Sequence, residues 1–90
     1  MPTVKFTSAL KRFFPALKDT PAIGRTLAEI LHEMEMTYPG VSKYLLDEQG
    51  NLRRHVNIFI NGSMIADRTN MNDSFSDNSE IYIMQALSGG

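Results

Sequence analysis

Residues 26 to 40 read TLAEILHEMEMTYPG, and the rest of the fold is organised around them. Thr26-Leu27-Ala28-Glu29 has the form of a capping box. In it the Thr26 hydroxyl accepts from the Glu29 N–H, and the Glu29 carboxylate reaches back to the Thr26 N–H. Leu27, Ile30, Leu31, Met34 and Tyr38 then recur at helical spacing as one apolar stripe, with Glu29, Glu33 and Glu35 off it. Pro39-Gly40 ends the helix, because the residue before a proline avoids the helical region. A lone amphipathic helix must bury its stripe against something, and the flanking sequence has to supply that surface.

Downstream, Val41 to Leu46 predicts a further short turn of helix, and Asp47-Glu48-Gln49-Gly50-Asn51 a polar turn. Val56, Ile58 and Ile60 alternate with His55, Asn57, Phe59 and Asn61, which is a strand with one buried face. Asn61-Gly62 tolerates positive φ at both central positions of a type I′ hairpin turn, so Ser63 to Asp67 is the short return strand. Arg68 to Ser79 is polar and reads as a surface loop. Glu80-Ile81-Tyr82-Ile83-Met84 alternates again. Upstream, Val4-Lys5-Phe6-Thr7 is a strand, Phe13 to Leu17 is ambiguous, and Leu17 to Ile23 is a short strand that Pro21 confines to a sheet edge.

The expected core is Val4, Phe6, Leu27, Ile30, Leu31, Met34, Val56, Ile58, Ile60, Ile81 and Ile83. Met36 and Met71 are expected to be exposed. The simplest architecture is α+β: one mixed sheet packed on one main helix, with the last strand returned to the middle of the sheet. That is a β-grasp arrangement.

Ninety residues make one small domain. Nine Lys and Arg against ten Asp and Glu give a net charge of −1, so the balance favours neither nucleic acid nor an anionic membrane as partner. Cysteine is absent, which excludes a disulfide framework, a Cys-ligated metal or cluster and a Cys nucleophile. The longest apolar runs, such as Ile58-Phe59-Ile60, fall far short of a membrane span. The start of the chain lacks the order of a targeting peptide. A cytoplasmic protein is expected.

No nucleophile–base constellation is visible, nor a phosphate loop, and neither His32 nor His55 has partners at metal-ligand spacing. No bound cofactor or metal is expected. His32 falls on the polar side of the helix. Arg53-Arg54-His55 is either a solvated strand entrance or a contact for a partner's phosphate or carboxylates. On the sheet face away from the helix, alternation places Phe59, Tyr82 and Met84, an apolar patch of the kind that marks a partner surface. The ending is the least ordinary feature. Average glycine usage of ~7% would end about one chain in two hundred in Gly-Gly. A tail without side chains, following directly on a strand, can thread a narrow channel and present its carboxylate.

With these pieces in order, the chain resembles the MoaD/ThiS sulfur carriers: the molybdopterin synthase small subunit, the thiamine-pathway carrier and the related carrier of cysteine biosynthesis. The resemblance spans nearly the whole chain. It rests on Val4-Lys5-Phe6 with Leu10-Lys11-Arg12, on Thr26-Leu27-Ala28-Glu29-Ile30-Leu31, and on Tyr38-Pro39-Gly40-Val41 with Leu45-Leu46-Asp47. It continues through Val56-Asn57-Ile58-Phe59-Ile60-Asn61-Gly62, Asp77-Asn78-Ser79-Glu80-Ile81 and Ser88-Gly89-Gly90. The usual Asp-Gly-Asp-Glu turn of the family is here Asp77-Asn78-Ser79-Glu80, and Gln85-Ala86-Leu87-Ser88 precedes the glycines in place of a small aliphatic or proline-rich stretch.

The resemblance implies a β-grasp domain over residues 1–87 and a flexible tail over 88–90, with no active site of its own. A partner adenylyltransferase similar to ubiquitin-activating enzymes would join the Gly90 carboxylate to AMP, using ATP and Mg. A sulfur donor such as a rhodanese or cysteine desulfurase would then leave a thiocarboxylate. An acceptor synthase, such as the molybdopterin synthase large subunit, would take the sulfur. In this reading Gly90 is the adenylation and thiocarboxylate site, Ser88 and Gly89 are the tail, and Phe59, Tyr82, Met84, Arg53 and Arg54 are the partner surface. Two alternatives stay open: a ubiquitin-like modifier that forms isopeptide bonds through Gly90, and a non-catalytic β-grasp interaction module.

Overall fold

The computed structural model describes residues 1–85. In chain order the elements are β1 (Thr3–Phe6), α1 (Ser8–Phe13), β2 (Thr20–Pro21), α2 (Leu27–Thr37), α3 (Val41–Leu45), β3 (Val56–Ile60), β4 (Ser63–Met64) and β5 (Glu80–Gln85). The sheet has five strands in the order β2-β1-β5-β3-β4. β5 lies parallel to β1 and antiparallel to β3, so the last strand is the centre of a mixed sheet. This is the β-grasp fold. β2, with Pro21, lies at the edge, where a missing ladder donor costs nothing.

α2 forms as its sequence dictates. The Thr26 hydroxyl accepts from Glu29 N at 3.1 Å. The return half of the box differs from expectation: the Glu29 carboxylate accepts from Arg25 N at 2.8 Å, one residue earlier than Thr26. The whole stripe is buried, Leu27, Ile30, Leu31, Met34 and Tyr38 together, against Val4, Phe6, Val56, Ile58, Ile81 and Ile83 from the sheet. After α2, Gly40 takes a φ of 98° and the Glu35 carboxylate accepts from Gly40 N at 2.9 Å and Ser42 N at 2.9 Å, which locks the α2–α3 corner. The β3–β4 turn has φ of 50° at Asn61 and 89° at Gly62, the positive pair a type I′ turn requires.

Further expectations need correction, the span of β2 among them, which is Thr20–Pro21 and not Leu17 to Ile23. Ile60 is half-buried, packed on the margin of the core, because it stands at the end of β3. The return strand is only Ser63–Met64, since beyond it Asp73 accepts from Ala66 N and Asp67 N and draws the chain into a loop. Residues 68–79 are not merely surface: Met71 is 4% exposed, Ser79 is buried and Phe75 is half-buried against the core. Met71 is thereby corrected from exposed to core, whereas Met36 is exposed as expected. Finally α1 was unforeseen. It spans under two turns, too short to show a helical period, and it buries only Ala9 and Leu10.

Candidate functional site

The sheet face away from α2 is set by register. Lys5 pairs with Tyr82, Tyr82 with Phe59, and Phe59 with Met64, so these four side chains form one row across β1, β5, β3 and β4. Met84 stands one step along β5, opposite Asn57. Tyr82 and Met64 are exposed, and Phe59 and Met84 are half-buried. The three predicted aromatic and aliphatic residues are therefore brought together. Met64 completes the patch and was missed, although the hairpin register fixed by Asn61-Gly62 places it on this face. Lys5 borders the patch and pairs with Glu80, Nζ to Oε2 at 3.1 Å. That contact, with its hydrogen bond, raises the Lys5 pKa.

The second feature is the sheet end toward which β5 runs. Gln85, the last described residue, stands opposite Val56, and Thr7 N donates to Ile83 O at 3.1 Å. The start of α1 and the 53–55 turn therefore flank the point where the chain passes to residues 86–90. Arg54 and His55 are exposed there. Arg53 is half-buried, with its Nε donating to the Lys43 carbonyl at 3.1 Å. His55 meets Tyr44 edge-on at a centroid distance of 6.3 Å. Ser88, Gly89 and Gly90, with the 87/88 boundary, lie outside the described residues.

Arg68 is the residue that sequence reasoning passed over. Its Nη1 donates to Asn57 Oδ1 at 2.7 Å, and its Nη2 to Arg53 O at 2.6 Å and Val56 O at 2.7 Å. One guanidinium thus fixes the 53–57 turn, using the planar fork that suits several acceptors at once. No signal marks it, since an arginine in a polar loop looks solvated.

Among the described residues no three His, Asp or Glu side chains converge as metal ligands. No helix among the described residues is long and apolar enough to cross a membrane. His32 is exposed on α2.

The profile of the ThiS family matches residues 4–90. The chain belongs to the ThiS family. Sulfur carrier protein CysO of Mycobacterium tuberculosis is 29% identical to this ThiS-family chain over 90 residues, covering 98% of this chain and 97% of that protein. The crystal structure of Mycobacterium tuberculosis CysO superposes with a TM-score of 0.80 at 27% identity, over 97% of this chain and 100% of that one. The small archaeal modifier protein 1 of Methanosarcina acetivorans gives 0.77 at 25% identity, over 99% and 95%. A chain of the Amycolatopsis orientalis BexX/CysO complex gives 0.83 at 24% identity over the full length of both, which shows the shared fold. The proteins this chain is similar to thus include a named sulfur carrier and a named small archaeal modifier protein.

Proposed function

We propose that this chain is a sulfur carrier acting through the Gly90 carboxylate, with no chemistry of its own. The observation that carries the reading is the family match, which runs through residue 90, five positions beyond the last residue of the central strand. The Gly90 carboxylate attacks the α-phosphorus of ATP on a partner adenylyltransferase, and pyrophosphate leaves. Sulfide then displaces AMP and leaves a thiocarboxylate. With the persulfide of a rhodanese or cysteine desulfurase as donor, its outer sulfur displaces AMP to give an acyl disulfide. A second thiol then attacks the donor's sulfur, releasing the thiocarboxylate and forming a disulfide. A carboxylate is a poor electrophile until its oxygen becomes a good leaving group, and activation supplies that. ATP and Mg belong to the partner. Gly89 and Ser88 give narrow access to its channel, and the Phe59, Met64, Tyr82 and Met84 face, with Arg53 and Arg54 at the sheet end, is the docking surface. An acceptor synthase takes the sulfur.

A second reading, a modifier joined to lysines through Gly90, is favoured by the likeness to small archaeal modifier protein 1. Intact mass after incubation with the activating enzyme, ATP and a sulfur donor separates the two. Exchange of one oxygen for sulfur at Gly90 is expected, and lysine-linked conjugates without a thiocarboxylate would establish the modifier. Deleting Gly90 should abolish either product, because the terminus then stops ~3.5 Å short of the reaction centre.

A further inference from the structure

Three short elements frame the sheet end beside Gln85, and an aromatic strip runs across them. Phe13, at the end of α1, is 59% exposed, and its ring lies 5.0 Å from that of Tyr44 on α3. Phe14 supports Tyr44 edge-on at 5.5 Å, and Tyr44 in turn meets His55 in the 53–55 turn at 6.3 Å. Exposed cations accompany the strip: Lys11 and Arg12 in the last turn of α1, and Arg54 beside His55. Neither α1, nor α3, nor residues 52–57 contain an acid. Glu35, on α2, reaches the start of α3, where its carboxylate oxygens accept from the Gly40 and Ser42 donors. Lys43 and Arg53 differ from the other cations because they line a groove together with Asp47 and Glu48. The acidic side chains of this net-negative chain lie elsewhere, at Asp19 before β2, on α2, in the 47–48 turn, in the 67–77 loop and at Glu80.

We propose that Lys11, Arg12, Arg54 and His55, set around the Phe13–Tyr44 aromatic pair, form a docking face for an acidic segment of a protein partner. This face adjoins the apolar sheet face at Arg54 and extends away from it. The proposal rests on the carrier reading only for its purpose, which is to hold a partner beside the point where the tail leaves. The charge pattern selects the occupant. A few cations without an ion-pair partner among the described residues, around an apolar strip, complement alternating carboxylates and aliphatic side chains, and such complementarity sets encounter rate and register. The same cations are too few, in a chain of net charge −1, for a nucleic-acid footprint, which needs an extended basic stripe.

The test uses the full-length 15N-labelled chain, a short peptide of alternating Glu and Leu, and an oligouridylate of equal charge. The peptide should shift the amides of residues 11–13, 44 and 54–55 while those of 59, 64 and 82 stay still, and added salt should weaken it. The double variant R12E/R54E should bind the peptide roughly tenfold more weakly with an unchanged thermal midpoint. Shifts confined to other residues, no measurable binding, or indifference to R12E/R54E would overturn the proposal. Tighter binding of oligouridylate would overturn it in favour of nucleic acid. Peptide binding that survives deletion of Gly90 supports it and keeps it distinct from the carrier reading. A thiocarboxylate formed without peptide binding defeats this proposal alone, and the reverse defeats the carrier reading alone.

Discussion

Phe59 on β3 stands directly opposite Tyr82 on β5, on the sheet face that α2 does not cover. Ile58 and Ile83, one residue along each strand, form the adjacent pair and are fully buried beneath the helix. A single residue of register therefore separates a core pair from a surface pair. This is why the two faces respond differently to substitution.

Phe59→Ser and Tyr82→Ser should weaken binding to the activating enzyme by ~2 kcal/mol each, roughly thirtyfold, as expected of aromatic anchors at an interface. Thermal midpoints should move little. Ile58→Ala should do the opposite, costing ~2–5 kcal/mol of stability through the cavity it leaves. Titration calorimetry and urea melts read the two effects separately. Equal loss of stability from Phe59→Ser and Ile58→Ala would place Phe59 in the core.

Gly24 lies where the chain passes close over the first turns of α2. A Cβ built there would sit 2.6 Å from Glu33 Oε2, 2.9 Å from Glu29 Cβ and 3.0 Å from Ile30 N. The Glu33 carboxylate accepts from both Ile23 N and Gly24 N, so it cannot swing aside without losing those bonds. Gly24→Ala should therefore cost ~1–3 kcal/mol in a urea melt. Pairing it with Glu33→Ala should relieve part of the clash, giving less than the sum of the single losses.

Arg68→Ala removes three donors from Asn57 Oδ1, Arg53 O and Val56 O at once. The expected loss is roughly 2–3 kcal/mol, typical when a charged donor leaves its acceptors unpaired. Amide shifts should concentrate in residues 53–57. Arg68→Lys should recover only part of the loss, because an ammonium cannot span acceptors held by a planar fork.

Periodic features of this fold were legible, and solitary ones were not. The α2 stripe, the β3 and β5 alternation and the Asn61-Gly62 turn each repeat or carry local turn chemistry, and the placement of β5 between β1 and β3 follows from covering one helix with one sheet. Met71 breaks no pattern and belongs to none. It reaches the core because the Asp67 carboxylate gathers the N–H groups of Thr69, Asn70 and Asn72, and because Met71 itself adopts a φ of 53°. Ile60 was placed by alternation alone, which says which face a residue takes but not how near the strand end it lies. Of the partner surface, Phe59, Tyr82 and Met84 were visible as the outward half of the alternation, whereas Met64 needed the hairpin register. The role of Arg68 depends on contacts across 11 to 15 residues of sequence, which no local window contains.

Glu35 makes the chain's acid response specific. Its carboxylate pKa is lowered from 4.5 to about 2, first by the Gly40 N–H, then by the Ser42 hydroxyl and N–H, with a smaller contribution from the Lys43 charge. All the main donors hydrogen-bond the ionised form, which is therefore the form that folding favours. A carboxylate whose folded pKa lies below its unfolded value binds fewer protons in the native state. Its contribution to stability is complete above the unfolded value of 4.5 and is lost as pH falls toward 2. Glu35→Gln retains one acceptor oxygen but cannot ionise, so it should be less stable than the parent near neutral pH. The gap between the two should narrow steadily as pH falls through that window. Urea midpoints of both proteins, taken across the same pH series, provide the measurement. Parallel curves would show that the Glu35 contacts do not depend on its charge. Convergence at low pH would tie the α2–α3 corner to one ionised side chain. Because that corner also orients Tyr44 and the cations beside it, amide shifts at residues 43, 44 and 55 should follow the same titration.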